Sequence, residues 1–144
     1  MPRPRVGACL LLACALSACG GDSRIPTSPT PSISGRWQGT IDSPVDGMGT
    51  ITLQLTQKGM DVTGSVRLSQ TTISDVPGTL KGTLATASLP TTMQVTVTYS
   101  FGPFQCQGMF GGTFDVTSRE IDGSYTGQNC VHTFGGSLRA TKSE

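Results

Sequence analysis

From Ser34 onward, apolar and polar residues alternate with a period of two, in one run after another. Ile51, Leu53 and Leu55 alternate with Thr50, Thr52, Gln54 and Thr56. Val62, Gly64, Val66 and Leu68 alternate with Thr63, Ser65, Arg67 and Ser69. The same holds for Met93, Val95, Val97, Tyr99 and Phe101, and for Phe110, Gly112, Phe114 and Val116. Successive side chains of a strand point to opposite faces, so each run has one apolar face and one wet face rich in threonine. No stretch beyond Ser34 carries the spacing of an amphipathic helix. Turn-forming groups separate the runs at Ser43–Gly47, Lys58–Gly59, Val76–Gly78, Leu89–Pro90 and Gly102–Pro103, with a weaker break at Ser118–Glu120. The pattern predicts eight strands, near 35–41, 48–57, 60–69, 78–86, 92–101, 104–117, 120–128 and 132–141. Their short links make consecutive strands antiparallel neighbours.

Glycine followed by threonine or serine recurs at 39, 49, 64, 78, 82, 112, 123 and 136. A glycine on the apolar side of a strand marks a bend, or packing too close for a Cβ. Spread over nearly every strand, it favours a sheet that coils onto itself, and closure removes the sheet's own edges. The expected fold is therefore all-β, an eight-stranded antiparallel up-and-down β-barrel over residues 34–142; two packed sheets are the alternative that the same alternation allows. Val97, Tyr99, Phe110, Phe114 and Tyr125 fall on the inward face and are the candidate ligand-lining residues. Such large side chains argue for a filled interior, whereas inward Gly64, Gly82, Gly108, Gly112 and Gly123 argue for space. An eight-stranded barrel accommodates either outcome.

The chain upstream is of another kind. Arg3 and Arg5 precede the apolar run Val6–Leu16, which ends in small residues and then Cys19. That is a secretory leader layout, and the run is about half of the roughly 20 residues needed to span a bilayer. Leu16-Ser17-Ala18-Cys19 resembles the lipobox of bacterial lipoproteins. The resemblance implies a signal peptide over 1–18, lipidation of Cys19, and attachment to the cell envelope through the lipid. In that class an aspartate next to the cysteine retains the protein at the inner membrane. Here Gly20 and Gly21 follow Cys19, so the expected location is the outer membrane, facing the periplasm. Leu11-Leu12-Ala13-Cys14 fits the box loosely but leaves too short an apolar run before the cut. Residues 19–33 then form the lipidated cysteine and a tether, where Pro26, Pro29 and Pro31 among serines and threonines prevent a helix or central strand.

Composition narrows the function further. Lysine and arginine number 10 against 9 acidic residues, a net charge of +1, with no basic stripe to suggest nucleic acid or anionic lipid. Of 5 cysteines, Cys9 and Cys14 leave with the leader and Cys19 takes the lipid. Cys106 and Cys130 remain to form a disulfide, in a compartment that permits one. A metal site built from these two and His132 lacks a fourth ligand and any close Cys-x-x-Cys spacing, so no metal is expected.

Gly35-Arg36-Trp37 opens the first expected strand. It is similar to the Gly-x-Trp that begins the barrel of lipocalins and their calycin relatives, and Ile33–Ile41 also resembles the opening of avidins. The resemblance implies that Trp37 plugs a closed end and that Arg139, in the last strand, lies across it. Two departures matter. Thr-Asp-Tyr, the other lipocalin signature, is absent, and one tryptophan is too few for an avidin-type biotin site.

Catalytic chemistry finds little support. His132 is the single histidine, no Gly-x-Ser-x-Gly elbow is present, and Asp42, Asp46, Asp61, Asp75, Asp115, Glu120 and Asp122 fall mostly at turns or on wet faces. No phosphate loop, dinucleotide fingerprint or calcium loop occurs, so neither enzyme activity nor a cofactor is expected. The expected function is binding of a small apolar ligand in the lumen. The alternatives are binding of a protein partner through loops at 43–47, 69–75 and 102–103, as in inhibitors of lysozymes or proteases, and a structural envelope role.

Overall fold

The computed structural model describes residues 30–71, 74–103 and 105–143. The leader, Cys19 and the tether as far as residue 29 lie outside the described residues. The eight strands are β1 Gly35–Ser43, β2 Gly47–Lys58, β3 Asp61–Ser69, β4 Val76–Leu84, β5 Thr91–Phe101, β6 Cys106–Val116, β7 Glu120–Gln128 and β8 Thr133–Lys142. They form a closed barrel in sequence order, and β8 pairs back onto β1, every pair antiparallel. The ends of the strands lie within two residues of those expected from alternation. The largest shift is at β4. Val76-Pro77-Gly78 reads as a turn, yet Pro77 is the second residue of the strand and pairs with Arg67. A proline is tolerated there because the start of a strand is one of the few sheet positions that can spare an N–H.

The apolar parity runs inward throughout. Trp37, Leu53, Val66, Leu80, Val97, Phe114 and Leu138 are buried, in one core shared by all eight strands. Register explains the recurrent glycines. Tyr99 is flanked across the sheet by Gly78 and Gly108, Phe110 by Gly127, Phe114 by Gly123, and Tyr125 by Gly112 and Gly136. At two of these glycines a Cβ would strike the ring opposite: 2.8 Å from Phe114 Cδ1 at Gly123, and against the ring of Tyr99 at Gly108. At those two the space is taken by the ring, whereas at Gly64, Gly82 and Gly112 the nearest atoms are backbone carbonyl oxygens of the adjacent strand. What remains in the middle of the lumen is a void of about 10 Å³ between residues such as Val95, Val97, Phe110 and Phe114. That is about one water's minimum volume. The lumen is filled, and Val97 and Phe114 are core residues with no ligand space beside them.

One end of the barrel is sealed by Trp37, which is fully buried and donates from Nε1 to the Ile33 carbonyl at 2.8 Å. Ile33 is itself fully buried, so the packed domain begins one residue before the expected boundary and takes in the last residue assigned to the tether. The cation over the indole is Lys142, with Nζ 5.7 Å from the ring centroid, and Arg139 is not there. Arg139 stands on the outer wall, 67% exposed, paired with Glu120. The reason is parity: Leu138 and Ala140 face inward, which turns Arg139 out and brings Lys142 in, opposite Trp37 in the register. Gly35 completes the cap. Its φ of 130° suits glycine alone, and a Cβ there would sit 3.1 Å from Lys142 Cε.

Candidate functional site

The alternation of the meander puts four links at the end opposite Trp37: β1–β2, β3–β4, β5–β6 and β7–β8. Two of them are built by local hydrogen bonds that fix specific side chains. In the β1–β2 turn, the buried Ser43 hydroxyl accepts from the backbone N–H groups of Val45 and Asp46, both at 3.2 Å. In the β7–β8 link, Asn129 Oδ1 accepts from the N–H groups of Val131 at 2.8 Å and His132 at 2.9 Å. Such side-chain turns hold the next residues in place without a longer element. The result is that His132 Nε2 meets Asp46 Oδ1 at 3.1 Å, across a gap of 86 residues. With the carboxylate as acceptor, the imidazole carries a proton on Nε2. The Gln70 amide donates to the Gly47 carbonyl at 3.1 Å and joins the β3–β4 link to the same turn.

Under these links runs an unbroken series of rings. Phe101 stacks on Tyr99 at 5.9 Å, Tyr99 meets Phe110 at 6.2 Å, and Phe110 meets Tyr125 at 5.1 Å. Tyr125 then meets Phe134 at 6.3 Å, and Phe134 meets the His132 imidazole at 6.1 Å. Tilted and offset pairs of this kind stabilise by about 0.5–1.5 kcal/mol each beyond burial. Above them opens a recess of about 210 Å³ lined by Asp46, Gln70, Tyr99, Phe101, Asn129, Val131 and His132. Larger hollows of about 820 and 750 Å³ are open furrows along the outer wall, floored by threonines and Gly111. The recess is smaller but is the place where polar groups converge, and convergence over an apolar floor is the usual mark of a binding site.

Burial first, and then the charge of Asp46, pushes the Tyr99 hydroxyl up to about 12. Tyr125 is likewise pushed up to about 12 by burial, then by Asp46 and Asp42, and its hydroxyl donates to the Asp42 carbonyl at 3.3 Å. These raised values have a pH consequence. In the unfolded chain both phenols ionise near 10.0, so folding holds protons that the unfolded chain releases. Their contribution to stability is whole below pH 10 and is lost as pH rises through about 12. A spectrophotometric titration of tyrosinate is expected to show no step near pH 10.0 in the native protein and a full one after unfolding.

Cys106 and Cys130 are joined, 5.7 Å apart at Cα and 24 residues apart in sequence. The bond ties the start of β6 to the link that carries Asn129 and His132. For a loop of this length the chain-entropy estimate is about 3 kcal/mol. A Cys106→Ser, Cys130→Ser double variant is expected to lose about 2–4 kcal/mol in urea unfolding, and to broaden the amide resonances of residues 129–132 before those of the core.

Of the residues expected at a ligand site, Tyr99 lines the recess, Phe110 and Tyr125 lie in the ring series beneath it, and Val97 and Phe114 are deeper core. Sequence reasoning missed the Asp46–His132 pair. It placed Asp46 in the turn at 43–47 and His132 at the start of the last strand, although hairpin parity already puts both at one end. Val45, Met48 and Val131 are exposed apolar residues at this same end, Val131 being 75% exposed.

No family model matches the chain, and no curated protein matches it in sequence. Among solved structures, EF1p2_mFAP2b bound to DFHBI aligns with a TM-score of 0.60 at 13% identity, over 76% of this chain and 93% of that one. The likeness is one of fold, an eight-stranded barrel that in that protein is found with a small molecule bound.

Proposed function

We propose that the chain is a lipid-anchored envelope protein, held through Cys19 at the outer membrane and facing the periplasm, whose barrel binds a small molecule at its mouth without catalysing a reaction. The observation that carries the binding part is the recess: fixed polar groups from three links converge over aromatic rings, while the rest of the lumen is packed. The site is thus shallower than the lumenal pocket expected from sequence. The barrel's likeness to a structure with a bound small molecule is consistent with this reading. The anchor rests on the leader and the lipobox resemblance alone.

Two measurements test the two parts. Mass spectrometry of the protein extracted from membranes should find a chain beginning at acylated Cys19, and a Cys19→Ala variant should leave the membrane fraction. Native mass spectrometry after exposure to periplasmic extract should find a retained small molecule, absent from a Tyr99→Ala variant treated in the same way. A protein that stays unladen and soluble would refute both. A second reading, a protein partner held by the mouth links, is favoured by Val45, Met48 and Val131, exposed apolar residues at the same end of the barrel. Co-purification of a partner that Val131→Asp abolishes would support that reading over the first.

A further inference from the structure

Resting on the reading of the mouth as a small-molecule site, we infer that its ligand is a small organic cation, an amine or quaternary ammonium group carried on a flat or apolar body. The recess offers two things to a ligand, ring faces and one carboxylate. Tyr99 and Phe101, stacked on each other, line it together with the His132 imidazole beside Asp46. Apart from His132, Asp46 is the one ionisable charge that lines it, and no lysine or arginine does. Asp46 Oδ1 is taken by His132, and no donor among the described residues reaches Oδ2. The Asp46 side chain keeps about 12% of its surface exposed and lines the recess.

An accessible carboxylate oxygen beside π faces is matched by a cation, which each ring face attracts by its quadrupole and the carboxylate by charge. A ligand anion would meet the same carboxylate with no lysine or arginine in the lining to offset it. Asp46, after burial, also opposes the ionisation of Tyr99 and Tyr125, in keeping with a negative charge at the mouth. Size adds a limit. A recess of about 210 Å³ holds roughly seven to ten non-hydrogen atoms, at about 20–30 Å³ each.

The test is a matched series titrated into the full-length protein in detergent micelles: benzylammonium, benzyl alcohol and benzoate, which share one ring and differ in charge. Binding is followed by the side-chain amide resonances of Gln70 and Asn129, which line the recess. Benzylammonium is expected to bind about tenfold more tightly than the alcohol, and benzoate more weakly than either. Asp46→Asn should bring the ammonium down to the level of the alcohol. If alcohol or benzoate binds at the recess as well as the ammonium does, the cation inference fails and the small-molecule site stands. If no probe moves those resonances, the small-molecule reading itself fails. The comparison among probes uses the unaltered protein and so does not depend on the variant folding.

Discussion

Trp37→Ala is expected to cost about 3–5 kcal/mol, the range for removing a large, fully enclosed aromatic residue. The effect has three parts that one residue joins. The indole supplies the apolar bulk of the sealed end, it holds the entering chain through the bond to the Ile33 carbonyl, and it gives Lys142 a ring face. Urea unfolding checks the magnitude, and the contrast with two neighbours checks the cause. Arg139→Ala should change stability by no more than about 0.5 kcal/mol, because the Arg139–Glu120 pair is exposed and such pairs are worth little. Lys142→Ala should cost about 1 kcal/mol, from the lost cation–ring contact. A large loss at Arg139 with a small one at Lys142 would restore the lipocalin-like arrangement that the geometry replaces.

Alanine at Gly39 or Gly136 is expected to be damaging too, at about 3 kcal/mol or more each. Both glycines lie at the seam where β1 closes onto β8. A Cβ at Gly39 would overlap the Arg139 carbonyl oxygen, and one at Gly136 would overlap the Asp42 carbonyl oxygen. These obstacles are backbone, so no side-chain rotation relieves them, and the two strands must part. Gly135 is the control. It is the next residue along the strand, but its nearest obstacle is the Tyr125 carbonyl oxygen at 3.1 Å, and Gly135→Ala should change stability by about 1 kcal/mol or less. Circular dichroism and thermal unfolding of the three variants decide the matter. Equal tolerance at all three positions would mean that the seam is looser than its register implies.

The strands were legible because a half-buried strand writes its own period, and eight periods without a helix leave few architectures. What alternation does not carry is register, and register decided most of the rest. Glycines at 64, 82, 108, 112 and 123 look like free volume along the chain; only across strands do those at 108, 112 and 123 stand opposite Tyr99, Tyr125 and Phe114. The cap shows the same gap: Arg139 suits the role by type and rough position, yet the pairing of Trp37 with Lys142 assigns it elsewhere. Ile33 is one apolar residue in a Pro/Ser/Thr stretch, and nothing local distinguishes it from spacer until the indole N–H needs an acceptor. Asp46 and His132 were within reach, since counting hairpins places both at one pole. Their contact depends on two side-chain turns, at Ser43 and Asn129, that carry no strong sequence signature.

The chain enters the barrel at Ile33, beneath the Trp37 cap, and β8 finishes beside it at Lys142. Whatever grips the polypeptide upstream therefore grips it at the pole farthest from Asp46 and His132. A hold on the chain just ahead of Ile33 would leave the ring-lined opening on the far side of the barrel, turned toward the surrounding fluid. Immobilising the protein by its amino-terminal side for a binding assay would present that opening in the same way, unobstructed by the support.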